Sequence, residues 1–223
     1  LQKPDTVRFA VLRAMQRCAS VGRGGYGAAM EAAEAVYRCR SLAAALFGAE
    51  AEQVVFTMNA THALNIAVHS LVRPGDEVVI SGFEHNAVWR PLTAAGAELK
   101  IAGRKLFDPE DTLRAFDAAV TERTRAVFCT HVSNVFGYIL PVERIAALCR
   151  ARGVPFVLDA SQSAGTLPLS LRELGAAFLA MPGHKGLYGP QGTGILLCGQ
   201  LPEPLLAGGT GSLSRSASMP DFL

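Results

Sequence analysis

Short apolar runs alternate along the chain with longer segments in which apolar residues recur every three or four positions. The first pattern is typical of buried strands and the second of amphipathic helices. Turn residues such as Pro74-Gly75-Asp76 separate the two kinds of segment. The pattern predicts strands at residues 53–57, 77–81, 99–101, 126–129, 156–159, 178–181 and 194–197. It predicts helices at residues 30–47, 61–71, 86–95, 110–120 and 142–152.

A further helix is predicted near the start of the chain, with Asp5 as its cap. Its apolar face consists of Val7, Val11, Leu12 and Met15. The glycine loop that follows, residues 22–27, has the GxGxxG spacing of dinucleotide-binding loops. That fingerprint requires a preceding strand and a following helix, whereas this loop joins two helices. We therefore interpret the match as coincidental.

Strands that alternate with helices predict crossover connections, and hence a largely parallel sheet. The predicted fold is α/β, with a mostly parallel central sheet and helices on both of its faces. In folds of this kind, ligands bind where the strands end at their carboxyl side. The residues that follow each predicted strand are therefore the place to search for chemistry.

The composition indicates one large globular domain. Of the 223 residues, half are hydrophobic and only 18% are charged, which excludes a disordered chain. Lys and Arg number 21 and Asp and Glu 19, so the formal net charge is 21 − 19 = +2. We therefore expect no nucleic-acid partner and no polybasic membrane contact. No apolar run approaches the roughly 18 residues that a membrane-spanning helix needs.

Five cysteines are spread widely along the chain, without a CxxC pair: Cys18, Cys39, Cys129, Cys149 and Cys198. This spacing is typical neither of a disulfide framework nor of a zinc site. We therefore expect a reducing compartment, the cytoplasm, and no bound metal.

One candidate for ligand binding is the segment 57–65, where a strand ends and a helix begins. Hydroxyl groups and free backbone N–H groups at a helix N-terminus suit a bound phosphate. Ala60 and Thr61 stand at this point. The alternative is an ordinary helix cap, because Asn and Thr are both common capping residues.

A second candidate pairs Asp159 with Lys185. Asp159 ends an apolar strand, where a carboxylate needs a cationic or hydrogen-bonding partner. Lys185 follows another short strand, in the glycine-rich turn 183–186. A loop lysine is usually solvated. Together with the helix terminus at Thr61, however, these residues supply the three groups that hold pyridoxal phosphate: an amine for its aldehyde, an anion for its ring nitrogen and donors for its phosphate.

The histidines differ in their surroundings. His85 follows the strand at residues 77–81. Its imidazole could stack on an aromatic cofactor ring and assist proton transfer, or it could cap the next helix at the surface. His62 and His69 lie seven residues apart on one predicted helix without a carboxylate to complete a metal site, so we interpret them as structural or surface residues.

With these residues in place, the chain resembles the class V aminotransferase group of fold-type I pyridoxal-phosphate enzymes. Within that group it is most similar to the cysteine desulfurase and selenocysteine lyase branch. The matching segments follow the family's order and cover nearly the whole chain. They are residues 22–25, 56–65, 84–86, 130–137, 158–162 and 183–192. Residues 208–212 and 220–223 also resemble the segment that leads into the family's small C-terminal domain.

The resemblance implies the central roles of the site. Lys185 would bond covalently to the aldehyde carbon of the cofactor and later move the substrate α-proton. Asp159 would hold a proton on the pyridine nitrogen, so that the ring accepts electrons. His85 would stack on the ring.

The resemblance also implies which residues contact the edge of the cofactor. Thr61 and His184 would bind its phosphate, with Ala60 beside them in the same binding segment. Gln162 would hydrogen-bond the phenolic oxygen of the ring. Asn134 would lie near that oxygen or near the substrate carboxylate.

Two positions depart from the family's pattern. Ala60 replaces a frequent Thr, and Pro182 stands where many relatives have Ser or Thr. Each change removes a hydroxyl from the expected phosphate site, and Thr61 is the hydroxyl that remains. The family's persulfide-carrying Cys and its substrate-binding Arg belong to the C-terminal part, and none of the cysteines in this sequence matches that position.

The implied reaction converts L-cysteine to L-alanine, with the sulfur transferred to a thiolate as a persulfide. A homodimer and a sulfur-acceptor protein are implied as partners. Two alternatives stay open. One is another class V activity, either transamination or an amino-acid lyase reaction, and the other is a non-catalytic domain that keeps the fold.

The resemblance also divides the chain. Residues 1–205 would form the large, cofactor-binding domain, with an N-terminal arm at residues 1–29. Residues 206–223 would begin the connection to a small C-terminal domain. Both ends are expected to be truncated, because the sequence starts at Leu1 without Met and carries no recognisable stop signal.

Overall fold

The computed structural model describes residues 2–21 and 24–208. Its helices are α1 (Asp5–Arg17), α2 (Gly27–Leu46), α3 (Ala60–Leu71), α4 (Asn86–Ala94), α5 (Pro109–Ala119), α6 (Val142–Ala151) and α7 (Leu171–Leu174). Its strands are β1 (Val54–Thr57), β2 (Glu77–Ser81), β3 (Glu98–Ala102), β4 (Thr124–Thr130), β5 (Phe156–Asp159), β6 (Phe178–Pro182) and β7 (Gly194–Cys198). A short 3₁₀ turn, Ala51–Gln53, precedes β1.

The strands form one sheet in the order β1-β7-β6-β5-β4-β2-β3. The neighbours from β6 to β3 are parallel, which confirms the predicted mostly parallel sheet. Strand β7 is antiparallel to both β1 and β6. This reversal was not predicted, and it arises because the loop between β6 and β7, residues 183–193, is too short for a crossover helix.

Helices cover both faces of the sheet, as predicted. One core cluster joins the sheet to α2, α5, α6 and α7 and contains Phe116. The other joins it to α3 and α4 and contains Leu64. Within β4, Val127 and Cys129 belong to the first cluster, whereas Phe128 belongs to the second. Successive side chains thus alternate between two buried faces, which explains why residues 126–129 of this strand are all apolar.

The first helix is present as predicted, but its predicted cap is wrong. Pro4, not Asp5, occupies the cap position, and Asp5 is the first helical residue. No residue of α1 is buried, and Leu12 and Met15 of its apolar face are 54% and 78% exposed. An amphipathic pattern defines an apolar face but not the element that covers it.

The other boundaries agree closely with the sequence. Strands β2 and β5 match their predictions residue for residue, and the remaining predicted elements differ by one to three residues at an end. Helix α7 was not predicted, because four residues are too few to show a helical period. Residues 22 and 23 of the glycine loop, and the predicted interdomain connection from residue 209 onward, lie outside the described part of the chain.

Two further findings concern the cysteines and the membrane-spanning potential of the helices. All five cysteines are free thiols. None of the helices in the described ranges combines the length and the apolar character that crossing a bilayer requires.

Candidate active site

A cavity of about 200 Å³ lies where the loops after β1, β2, β4, β5 and β6 meet. All eight residues that the sequence singled out for the site line it: Ala60, Thr61, His85, Asn134, Asp159, Gln162, His184 and Lys185. Six further lining residues were not assigned a binding role from the sequence: Asn59, Ala87, Thr130, Val132, Ser161 and Pro182. Five of these six lie within two residues of a predicted one, so the general rule about strand ends could have found them.

The first turn of α3 forms one wall of the cavity. Asn59 caps this helix, because its side-chain oxygen accepts a hydrogen bond from the His62 amide at 2.8 Å. Ala60 and Thr61 begin the helix, where backbone N–H groups have no partner within the helix itself. Capping and ligand binding are therefore compatible here, since the cap uses one amide and leaves the first turn facing the cavity. His62 folds back on the same turn, and its Nδ1 accepts from the Met58 amide at 3.3 Å.

His85 caps a helix and also lines the cavity. It is the cap of α4, and its Nδ1 accepts a hydrogen bond from the Ala87 amide at 3.0 Å. An acceptor nitrogen carries no proton, so in the neutral ring the proton is on Nε2. The same ring lines the cavity. The cap thus fixes the orientation and the tautomer of an imidazole that faces the ligand space.

Asp159 lies at the carboxyl end of β5 and is 3% exposed. Its Oδ1 accepts a hydrogen bond from the Ser161 amide at 2.9 Å. Burial raises the pKa of Asp159, while hydrogen bonds from Ser161 and the positive charges of Lys185 and His85 oppose that rise. A cationic ligand group beside this carboxyl would favour its charged form.

Lys185 and His184 lie in the loop between β6 and β7. The loop is held by hydrogen bonds from the Tyr188 amide to the Lys185 carbonyl at 2.9 Å and from the Gly189 amide to the Gly183 carbonyl at 2.7 Å. The Nδ1 atom of His184 is enclosed without a hydrogen-bond partner in the described residues. A buried polar atom of this kind at a cavity wall is an available contact for a polar ligand.

Lys3 reaches this loop from the start of the chain. Its Nζ donates a hydrogen bond to the His184 carbonyl oxygen at 2.8 Å. No sequence signal predicted the contact, because it joins residues that are 181 positions apart. The N-terminal segment is thereby attached to the residue next to Lys185.

The residues present fit pyridoxal phosphate. The cavity offers one lysine amine, one buried carboxyl group in need of a cation, and a helix N-terminus with the Thr61 hydroxyl and the unpartnered nitrogen of His184. These are the groups that the aldehyde, the ring nitrogen and the phosphate of that cofactor require. Ala60 and Pro182 also line the cavity and contribute no hydroxyl, so the departures noted in the sequence fall at the site itself.

Gly186 allows the lysine loop to approach the turn after β5. A Cβ atom at this position would lie 2.2 Å from the carbonyl oxygen of Ala164 and 3.2 Å from Thr166 Cγ2. We expect Gly186→Ala to lower the free energy of unfolding by about 1–3 kcal/mol and to weaken cofactor binding, because the lysine loop must move away. Urea unfolding and cofactor titration measure the two effects.

Gly27→Ala is the matched control for this substitution. A Cβ atom on Gly27, at the start of α2, would meet nothing within 4 Å. Its stability and cofactor binding should equal those of the parent chain. Equal behaviour of the two variants would contradict the close approach at Gly186.

Several known proteins are similar to this chain. Residues 2–217 match the family model described as aminotransferase class-V. A probable cysteine desulfurase of Methanothermobacter thermautotrophicus is 36% identical over 200 residues, which are 86% of this chain and 50% of that protein. The chain thus spans about half the length of this curated relative.

Solved structures show the same fold. The apo structure of a cysteine desulfurase from Thermococcus onnurineus NA1 has a TM-score of 0.78 and 29% identity, and the match covers 94% of this chain and 61% of that one. A structure of SspA in complex with cysteine has a TM-score of 0.80 and 25% identity, and the match covers 90% of this chain and 61% of that one.

Proposed function

The chain belongs to the class-V aminotransferase family, and from this premise we propose that it forms the pyridoxal-phosphate-binding part of a cysteine desulfurase-like enzyme. The observation that carries the proposal is the convergence of Lys185, Asp159, His85 and the first turn of α3 on one cavity. These residues come from four separate segments of the chain. A scaffold without a ligand has no packing reason to place all of them around the same space.

When bound, pyridoxal phosphate supplies an electron sink for the charge that develops at the substrate α-carbon. The residues of the protein would hold and orient the cofactor. Asp159 would keep a proton on the ring nitrogen, and the burial that raises the pKa of Asp159 would also strengthen this ion pair. The His85 ring would stack on the cofactor, in the orientation that the hydrogen bond from the Ala87 amide fixes. Gln162 would hydrogen-bond the phenolic oxygen of the ring, and Asn134 would lie near that oxygen or near the substrate carboxylate.

The α3 terminus, Thr61 and His184 would hold the phosphate. Lys185 is the one lysine among the described lining residues, and its amine would hold the aldehyde carbon and carry the substrate α-proton on Nζ. Because Ala60 and Pro182 supply no hydroxyl, the phosphate relies more on the backbone amides of α3 than on side chains.

The names of the similar proteins support L-cysteine as the substrate, and one of the similar structures contains cysteine. The whole protein would then release L-alanine and pass the sulfur, as a persulfide on a cysteine thiolate, to a sulfur-acceptor protein. We further propose a cytoplasmic homodimer, with residues 1–205 as its large domain and residues 206–223 leading towards a smaller one.

Titration of the chain with pyridoxal phosphate tests the cofactor site. We expect a visible absorption band that borohydride reduction makes permanent, because reduction converts a carbon–nitrogen double bond to a stable single bond. Mass spectrometry of the digested protein should find the label on the peptide that contains Lys185. A folded chain without a band, or a label spread over the other lysines, would contradict the site.

The reaction is tested on the full-length protein. With L-cysteine it should form alanine and, in the presence of a reductant, sulfide in equal amounts. Transfer of the amino group to a 2-oxo acid instead would indicate a different activity on the same cofactor site.

A further inference from the structure

Glu84 lies in the turn between β2 and α4, one residue before His85. Its Oε1 accepts a hydrogen bond from the backbone N–H of Thr130 at 2.6 Å and a second one from the Ser81 hydroxyl. Ser81 ends β2 and Thr130 ends β4. A single carboxyl oxygen therefore ties the turn that carries His85 to the ends of two neighbouring strands.

The strand end that Glu84 holds is the one that lies beside Asp159. Thr130 pairs in register with Asp159, and the next amide, that of His131, donates to the Asp159 carbonyl oxygen at 3.0 Å. Asp159 and His85 thus reach the cavity from backbone segments that are both bonded to the end of β4.

We propose that Glu84 is a positioning residue of this site: its carboxyl group holds the turn that carries His85 against the end of β4, next to Asp159. The role for cofactor binding rests on the proposed function, whereas the mechanical role does not. Glu84 does not line the cavity, so it acts on a ligand only through its neighbours.

The charge state of Glu84 suits this role. Burial raises the pKa of Glu84 to about 8, the nearby Asp159 adds to the rise, and hydrogen bonds from Ser81 and Thr130 oppose it. The ionisable groups that face it are Asp159 from β5 and Cys129 from β4. At neutral pH the acid is mostly protonated, which leaves Asp159 free to be the anion of the site. Oε2 is enclosed without a hydrogen-bond partner in the described residues. Burying an unpartnered oxygen costs less free energy when the carboxyl group is protonated than when it is charged.

Glu77 provides a matched control. Glu77 is a buried carboxyl at the start of β2, the strand that precedes the turn with Glu84, and there it bonds Thr124 and pairs with Lys100. Replacing Glu77 removes a buried carboxyl from the same strand without touching the cavity. The substitutions to compare are Glu84→Met, Glu84→Gln and Glu77→Met, since methionine fills the volume without accepting hydrogen bonds and glutamine keeps an acceptor oxygen.

Amide hydrogen exchange of the cofactor-free chain tests the mechanical role. The readout is the Ala87 amide, which bonds His85 and not Glu84. In Glu84→Met we expect the protection factor of the Ala87 amide to fall by at least about tenfold, because the turn loses a buried hydrogen-bond acceptor. Glu84→Gln and Glu77→Met should stay within about threefold of the parent. Unchanged protection in Glu84→Met, or an equal loss in Glu77→Met, overturns the proposal.

If Glu84→Met fails to fold, Ser81→Ala decides the question, because it removes one of the two donors to Oε1 and leaves the backbone bond from Thr130. We expect it to lower the protection of Ala87 by roughly threefold. No change in Ser81→Ala would then overturn the proposal.

A double-mutant cycle with pyridoxal phosphate tests whether Glu84 acts through His85. Glu84→Met should weaken cofactor binding by about tenfold in the parent chain and by less than about threefold in the His85→Ala background. Equal losses in both backgrounds overturn the proposal. A parent chain that binds no cofactor contradicts the proposed function instead, and the exchange measurement alone then decides the role of Glu84.

Discussion

Replacing Lys185 with alanine is expected to abolish covalent attachment of pyridoxal phosphate and to lower turnover by at least about 1,000-fold in the full-length protein. No other lysine lines the cavity in the described residues, so no second amine is available to attach the aldehyde and to move the α-proton. The measurements are the reduced visible band and the rate of alanine formation. Cofactor should still bind without a covalent bond, because Asp159, His85 and the α3 terminus are unchanged.

Two other lysines, Lys105 and Lys3, serve as controls for the Lys185→Ala prediction. Lys105 is exposed and pairs with Asp108 at 2.8 Å, so Lys105→Ala should leave both measurements unchanged. Lys3 lies next to the loop, with its Nζ on the His184 carbonyl, and is the amine most able to substitute for Lys185. If Lys185→Ala still gives a reducible band, the digested protein should show whether Lys3 carries it, and the assignment of Lys185 would then be wrong.

The central strands could be predicted from the sequence because each is a continuous apolar run bounded by turn residues. Phe156–Asp159 illustrates this: both of its faces are buried, so every side chain but the last is apolar, and the last one is Asp159. A polar residue at the end of such a strand is conspicuous in the sequence. The same reasoning placed Thr61, His85 and Lys185 after three other strands, and the structure brings all of them to one cavity.

Other features left no local signal. The direction of β7 depends on the length of the preceding loop. It could not be predicted from residue periodicity, because the periodicity is the same in parallel and antiparallel strands. The exposed face of α1 has the same spacing that a buried face would have. The contacts of Lys3 with His184 and of Glu84 with Thr130 connect residues that are far apart in the chain, and nothing near either residue indicates its partner.

Two buried carboxyl groups, Glu77 and Asp159, lie in opposite environments. The first contributes to the stability of the fold, and the second is available to a ligand. Glu77 has Lys100, Thr121 and Thr124 around it, which lower its pKa and make its charge favourable for folding. Asp159 has fewer partners within the chain, and its pKa is raised. The first carboxylate is satisfied by the protein itself, whereas the second is satisfied fully only when a cation enters the cavity.

Replacing Asp159 with asparagine is therefore expected to stabilise the cofactor-free chain. In the folded state the raised pKa retains the proton to a higher pH than in the unfolded state, so wild-type stability falls as pH rises between those two pKa values. Asparagine has no proton to lose, and its side-chain oxygen can still accept from the Ser161 amide. We expect a higher free energy of unfolding than in wild type in urea at pH 7, with the difference vanishing towards about pH 4.

The same substitution should have the opposite effect on function. Without an anion beside the ring nitrogen, turnover of the full-length protein should fall by at least about 100-fold, and added cofactor should raise the unfolding midpoint of the chain by less than in wild type. Glu77→Gln is the control, and there the sign reverses: the cofactor-free chain should lose stability at pH 7, because a carboxylate with a lowered pKa stabilises the fold above that pKa. If Asp159→Asn destabilises the cofactor-free chain as Glu77→Gln does, the Asp159 carboxylate serves the fold itself, and its availability to a ligand is disproved.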